Sequence, residues 1–141
     1  MLETDGTHSG FYAVYFTLGI HMPTVPRSPS ELRDFLCRSF PAYRRQWEAG
    51  ENPFISESGT FSFDGLMIAF CDYFSKNALS FSDKQLRDLA AFIDVAIAQD
   101  GSLDDAVSSC FLGHLHKIEG SKALTPFLSS VARERSDECA D

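Results

Sequence analysis

The sequence predicts an all-α protein, a compact antiparallel bundle of about five helices to which a short N-terminal strand can be added. Three consecutive segments carry apolar residues at intervals of three and four, which is the spacing of one helix face. Short polar turns join these segments, and helices joined by short turns pack as antiparallel neighbours. The three stripes are Phe63, Leu66, Met67, Phe70, Cys71 and Phe74; Leu86, Leu89, Ala90, Ile93, Ala96 and Ile97; and Leu103, Ala106, Val107, Cys110, Phe111, His114 and Leu115.

The central helix is predicted within the phenylalanine-rich stretch from Phe61 to Ala78. It should begin after Thr60 or Ser62, both of which can cap a helix. It should end near Asn77, a residue that tolerates left-handed backbone. Further apolar residues fall off the stripe, so this helix should have neighbours on several sides.

The segment before the central helix should form two short helices separated by a proline. Ser30 is the expected N-cap of the first helix, which follows a proline-rich lead-in. Pro41 lacks a backbone N–H, so a break is expected near Phe40. The second helix places Tyr43 and Trp47 on one face, because they are four residues apart.

Capping residues mark the later helices and the domain boundaries. Ser82 and Gln85 match a capping box, and Ser102 is expected to cap the helix that follows it. A last short helix is expected at residues 124–131, and the charged segment after it should fray. The predicted organisation is therefore an N-terminal extension at 1–28, a helical domain at 30–131 and a charged tail at 132–141.

The stretch Phe11–Ile20 is apolar and rich in aromatic and β-branched residues, which favours an extended strand. It is too short to span a bilayer, and Glu3 and Asp5 stand where a secretory signal would carry positive charge. A strand needs a partner, either a hairpin elsewhere in the chain or the same stretch of a second subunit in a homodimer. An alternative is that Met22 is the natural start of the protein.

The composition indicates one acidic domain of 141 residues, with a net charge of −8. Residues 48–105 contain eleven acidic residues against three basic ones, whereas residues 27–45 contain five arginines against two acids. A nucleic-acid backbone requires a basic surface, so nucleic acid is not an expected partner, and neither is a membrane. The acidic field instead favours a basic protein partner.

No residue pattern in the chain indicates catalysis or cofactor binding. The four cysteines form no CxxC pair and are expected to be reduced thiols in a cytoplasmic protein. Cys110, His114 and His116 come closest to a metal cluster, but zinc requires further ligands. The segment from Asp100 to Asp105 lacks the glycine and the closing glutamate of a calcium loop. We therefore predict that the protein is not an enzyme and has no metal or cofactor.

Acidic side chains on neighbouring helices are the candidate partner contacts. On the solvent side they could meet a basic surface and speed association by electrostatic steering. An exposed Tyr43 or Trp47, near Glu48 and Glu51, would supply an aromatic anchor, and a core position is the alternative for Trp47. The predicted partner-binding residues are Asp83, Asp88, Asp94, Asp104, Asp105 and Trp47.

A series of landmarks runs through residues 30–131: Phe40-Pro41 followed by Trp47, Phe61-x-Phe63, Leu89 to Ile93, Cys110-Phe111-Leu112 with Leu115, and Leu124-x-Pro126-Phe127-Leu128. In this order they resemble a family of small uncharacterised bacterial helical domains, some of which resemble immunity proteins of toxin systems. The resemblance implies a helical fold and an immunity or regulatory role.

The sequence leaves three functional hypotheses. The first is a non-enzymatic cytoplasmic protein-binding domain, an immunity-type inhibitor whose acidic surface neutralises a basic toxin. The second is a ligand-binding or regulatory helical domain in which the thirteen phenylalanines line an apolar pocket. The third is a small enzyme, for which a buried carboxylate or histidine in a cleft would be the sign.

Overall fold

The computed structural model describes residues 25–139, and this part of the chain is all-α. Helices account for 74% of the described residues and none of these residues lies in a strand, which confirms the predicted fold class. Residues 25–139 contain six α-helices, where about five were predicted. They are α1 (Pro29–Ser39), α2 (Pro41–Glu48), α3 (Phe63–Asn77), α4 (Asp83–Ile97), α5 (Ser102–Cys110) and α6 (Ser130–Cys139).

The described residues also contain four 3₁₀ segments, which join the later helices. They are Ala78–Ser80, Leu112–Lys117, Glu119–Ala123 and Thr125–Phe127.

Three predictions for the N-terminal part of the chain fall outside the described residues. They are the strand at Phe11–Ile20, the homodimer through that strand and the alternative start at Met22.

The predicted break at Pro41 is present, and the start of α1 differs from the prediction. Pro41 is the first residue of α2, where its missing N–H has no helical partner to lose. The N-cap of α1 is Ser28 rather than Ser30, because Pro29 occupies the first helical position. The Ser28 hydroxyl accepts a hydrogen bond from the Glu31 N–H at 3.2 Å.

The central helix α3 begins and ends where the sequence predicted. Ser62 is its N-cap, and its hydroxyl accepts a hydrogen bond from the Gly65 N–H at 3.0 Å. Asn77 is the last residue, but its φ is −129°, so the expected left-handed termination is wrong. The chain continues directly into a 3₁₀ turn, and the Asn77 amide donates to the Tyr73 carbonyl at 2.8 Å.

The starts of α4 and α5 show one confirmed cap and one correction. Ser82 and Gln85 form the predicted capping box at the start of α4. The residue before α5 is Gly101 rather than Ser102, and Gly101 has a φ of +141°. Only glycine adopts this backbone readily, so the turn after α4 is fixed by Gly101.

The chain after α5 departs most from the sequence prediction. The third apolar stripe was expected to form one helix through Leu115, but α5 ends at Cys110 and 3₁₀ segments follow. The predicted last helix at 124–131 is replaced by a 3₁₀ turn and then by α6. The predicted fraying is wrong for residues 132–139, because this charged segment belongs to α6.

Small buried residues and hydrogen bonds hold α6 against the rest of the protein. Ala132 and Ser136 are its buried residues, and they are four positions apart on one face. The Ser136 hydroxyl donates to the Leu112 carbonyl at 3.0 Å, and the Ser129 hydroxyl accepts from the Ala132 N–H at 3.1 Å. A stripe of large apolar residues is absent from this helix, so apolar periodicity gave no signal for it.

The core is filled by aromatic rings from α1, α2, α3 and the turns that follow. Phe70 lies 5.1 Å from Phe40 and 5.9 Å from Phe111, measured between ring centroids. Phe74 lies 5.1 Å from Phe81 at an interplanar angle of 89°, a favourable edge-to-face geometry. The five rings are almost wholly buried, so these phenylalanines pack on each other.

Candidate functional site

The structure separates the five aspartates that were predicted as partner contacts. Asp83 opens α4 and Asp88 is one turn further along, whereas Asp104 and Asp105 lie in the first turn of α5. Since α4 rises about 1.5 Å per residue over its 15 residues, roughly 20 Å of helix separates its start from the turn into α5. These side chains therefore form two groups instead of one surface.

Asp94 is not available to a partner, which corrects the prediction that it faces solvent. Its side chain belongs to the buried polar residues, with a relative exposure of 7%. The Ser129 hydroxyl donates to the Asp94 carboxylate at 2.6 Å, and the same hydroxyl accepts from the N–H of Ala132. Asp94 thus links α4 to the start of α6, an attachment that could not be foreseen without knowing that α6 exists.

Trp47 occupies the core, as the alternative interpretation held, and is not an exposed anchor. Its exposed fraction is 4%, and its ring packs edge-on against Phe61 at 5.6 Å. Tyr43, on the same face of α2, is fully buried, and its hydroxyl donates to the Leu66 carbonyl at 3.1 Å. Tyr43 therefore attaches α2 to α3, and Trp47 attaches α2 to the connection just before α3.

Asp88 is partly compensated by a neighbouring lysine. Its carboxylate accepts from the Lys84 ammonium at 2.8 Å across one helical turn. Both residues line a hollow between α1 and α4 that Arg38 also borders. This hollow mixes both signs of charge, so it does not favour a purely basic partner.

Asp104 takes part in a network that joins α5 to α6. The Arg135 guanidinium donates to the Asp104 carboxylate at 2.7 Å and to the Ser108 hydroxyl at 2.8 Å. The Ser108 hydroxyl in turn donates to the same carboxylate oxygen at 3.0 Å. The side chains of Asp104 and Arg135 are 13% and 30% exposed, so water screens this ion pair only in part.

Four exposed carboxylates lie on the two helices that this network joins, and they define what we call the acidic face. Within residues 25–139 none of the four forms an ion pair, although Arg133 lies one turn before Asp137, whereas Glu48, Asp72 and Asp88 each pair with a basic residue one turn away. Val131 adds exposed apolar surface on the same helix, with 55% of its area accessible. The acidic face consists of Asp105, Glu134, Asp137 and Glu138.

Sequence reasoning identified only one residue of the acidic face. Asp105 was predicted as a partner contact, and its position in the first turn of α5 is confirmed. Glu134, Asp137 and Glu138 were assigned to a fraying tail and so were missed. The run of alternating charges in this segment was the available signal, because a solvent-facing helix often carries such a pattern.

A second surface feature lies at the 14-residue connection between α2 and α3, residues 49–62. Two hollows lie on either side of Pro53, with volumes of about 1050 and 440 Å³, and we call the pair the loop recess. The Asn52 amide donates to the Trp47 carbonyl at 2.9 Å, and its oxygen accepts from the Phe54 N–H at 2.9 Å. These two bonds fix the turn at Asn52 and Pro53, residues that border both hollows.

The thiols of the described residues do not resemble catalytic cysteines. Burial raises the pKa of Cys37, Cys71 and Cys110, and the pKa of Cys71 rises to about 11. A nucleophilic cysteine requires a lowered pKa, because the thiolate is the reactive form. Among residues 25–139 no three histidine, cysteine or acidic side chains are grouped so that they could hold a metal ion.

Comparisons of the chain with protein-family models, curated proteins and solved structures find no match. The resemblance to domains related to immunity proteins therefore stays a prediction. None of the helices between residues 25 and 139 combines the length and apolar character needed to cross a membrane.

Proposed function

We propose that the protein is a non-enzymatic binding domain, an immunity-type inhibitor that neutralises a basic partner such as a toxin. The observation that carries this proposal is the acidic face, four carboxylates on two helices with no compensating ion pair in the described chain. Unpaired surface carboxylates repel each other, and a basic partner would relieve that repulsion.

The arrangement suits inhibition by surface occlusion. The Asp104–Ser108–Arg135 network holds α6 against α5. The backbone that carries the carboxylates is therefore already ordered, and little further loss of backbone entropy opposes binding. The lysine and arginine side chains of a partner would form ion pairs at the rim, and Val131 would supply apolar contact. Electrostatic steering would raise the association rate and make binding sensitive to salt.

The two other hypotheses have less support. The core phenylalanines pack ring against ring, which favours a filled core over a lined apolar pocket. The buried carboxylate, Asp94, contacts the Ser129 hydroxyl that caps α6, and this is a structural attachment. Burial raises the pKa of Cys37, Cys71 and Cys110, so these three thiols are not activated nucleophiles.

The test is binding to a basic toxin encoded next to this protein, measured by calorimetry at several salt concentrations. The variant E134Q/E138Q neutralises two carboxylates of the acidic face. The control D83N/D88N removes the same charge at the start of α4. We expect the first variant to weaken binding by about tenfold and the control by no more than about twofold, since steering depends on the local field.

Two results would contradict the proposal. The first is the absence of a complex with the neighbouring basic protein at low salt. The second is an equal loss of affinity in both double variants, because this would assign binding to net charge and not to the acidic face.

A further inference from the structure

The loop recess is built on a connection that is longer than most and internally ordered. Fourteen residues join α2 to α3, whereas helix connections in bundles usually take two to eight. Besides the bonds of Asn52, the Ser56 N–H donates to the Thr60 carbonyl at 2.8 Å. The hydroxyls of Ser56 and Thr60 also lie 2.7 Å apart. Long ordered loops on a rigid helical scaffold are common carriers of binding surfaces.

The chemistry of the loop recess combines an apolar floor with an acidic rim. Pro53 borders both hollows, and Ile68 lines the smaller one with 45% of its area exposed. Glu51 borders both hollows and Glu57 borders the larger one. Both glutamates are exposed, and neither forms an ion pair within residues 25–139.

The other charges around the loop recess are already engaged. The carboxylate of Glu48 accepts from Arg44 at 3.3 Å, and that of Asp72 accepts from Lys76 at 3.2 Å. Arg33, the basic residue that lines the larger hollow, contacts Asp34 at 3.0 Å. Glu51 and Glu57 are therefore the carboxylates that a ligand could engage without breaking an existing pair.

We propose that the loop recess is a docking site for an extended segment of a partner protein that carries arginine or lysine side chains. In the smaller hollow the aliphatic stem of such a side chain covers Pro53 and Ile68 while its charged end reaches Glu51. In the larger hollow the stem covers Pro53 and the charged end reaches Glu57, so one segment can place a basic side chain in each hollow. This site does not involve the acidic face, so the proposal stands or falls separately from the function assigned to that face.

The test follows the Trp47 indole signal by NMR in the ¹⁵N-labelled full chain. Trp47 is the single tryptophan and borders both hollows, so its one indole signal is a reporter beside the recess. The probe is the blocked tripeptide Arg-Gly-Arg. Its matched control is citrulline-Gly-citrulline, which keeps the shape of the side chains and removes their charge.

We expect the arginine peptide to shift the indole signal in a saturable way and the citrulline peptide to leave it nearly unchanged. E51Q/E57Q should weaken peptide binding by about fivefold, because two exposed charge-assisted contacts are lost. E134Q/E138Q, which changes the net charge equally, should have no more than about a twofold effect. Equal responses to the two peptides, an equal loss in both variants, or no response of Trp47 would each overturn the proposal.

Discussion

The ion pair between Asp104 and Arg135 gives the sharpest test of how α6 is attached. Both side chains are partly buried and lie 2.7 Å apart on different helices. We suggest a double-mutant cycle with D104N and R135M, because the cycle isolates the coupling between the two residues from the cost of each substitution. The pair Lys84–Asp88 is the matched control, with a similar distance of 2.8 Å but side-chain exposures of 82% and 35%.

The expected coupling follows from exposure and hydrogen bonding. A hydrogen bond to a charged group contributes about 1.5–3 kcal/mol when it is shielded from water. Arg135 is 30% exposed, so solvent screening reduces this, and we expect a coupling of about 1–2 kcal/mol. For the exposed pair Lys84–Asp88 the expected coupling is about 0.3–0.5 kcal/mol.

The assay is urea unfolding followed by the fluorescence of Trp47 and by circular dichroism. The four proteins of each cycle are compared at the same pH and ionic strength, and the free energies of unfolding give the coupling. A coupling between Asp104 and Arg135 no larger than that of the control pair would refute the reasoning. It would mean that this ion pair does not hold α6 against α5 in solution.

Further substitutions test a buried hydrogen bond, the packing of a glycine and the pKa of a buried thiol. Tyr43→Phe removes the hydrogen bond to the Leu66 carbonyl and should cost about 1 kcal/mol in urea unfolding; no loss would contradict the contact. A Cβ on Gly120 would lie 2.5 Å from that of Ala78, so Gly120→Ala should destabilise the protein by about 1–3 kcal/mol. Adding Ala78→Gly should recover part of this loss. Burial raises the pKa of Cys71 from 9.0 to about 11, so the folded state keeps a proton that the unfolded state loses. Stability should therefore fall as pH rises from 9 towards 11, and less steeply in Cys71→Ala; equal pH dependence would argue against this pKa shift.

Local signals in the sequence account for the parts of the fold that were predicted correctly. Pro41 breaks the first helical segment whatever surrounds it, since the cause is its missing N–H. The capping box of Ser82 and Gln85 is likewise complete within four residues. The apolar stripes of α3 and α4 are strong because large residues recur over four turns, so the all-α class could be inferred without tertiary information.

The features that the sequence did not reveal depend on contacts between distant segments. Asp94 is a buried acidic residue on α4, and it accepts a hydrogen bond from the Ser129 hydroxyl, 35 residues away in the chain, which offsets the cost of its burial. α6 buries two small residues, and its attachment depends on Arg135, 31 residues from its partner Asp104. Helical periodicity cannot detect an attachment of this kind, so the segment was taken for a tail.

The 3₁₀ segments after α5 show a second limit of pattern reading. The apolar stripe continues to Leu115, and Phe111 and Leu115 are buried as the stripe predicts, whereas His114, which belongs to the same stripe, is exposed. The backbone nevertheless leaves the α-helical path at Phe111, where φ is −125° and ψ is −66°. Intervals of three suit both kinds of helix, so burial could be predicted there while the helix type could not.

The account depends most on whether the charged segment 130–139 is a docked helix, because three carboxylates of the acidic face lie on it. Amide hydrogen exchange measured residue by residue tests this directly. Docking predicts that the amides of residues 134–138 exchange at least about 1000-fold more slowly than in an unstructured peptide. Exchange of these amides at the rate of an unstructured chain, with α3 and α4 protected in the same sample, would contradict it.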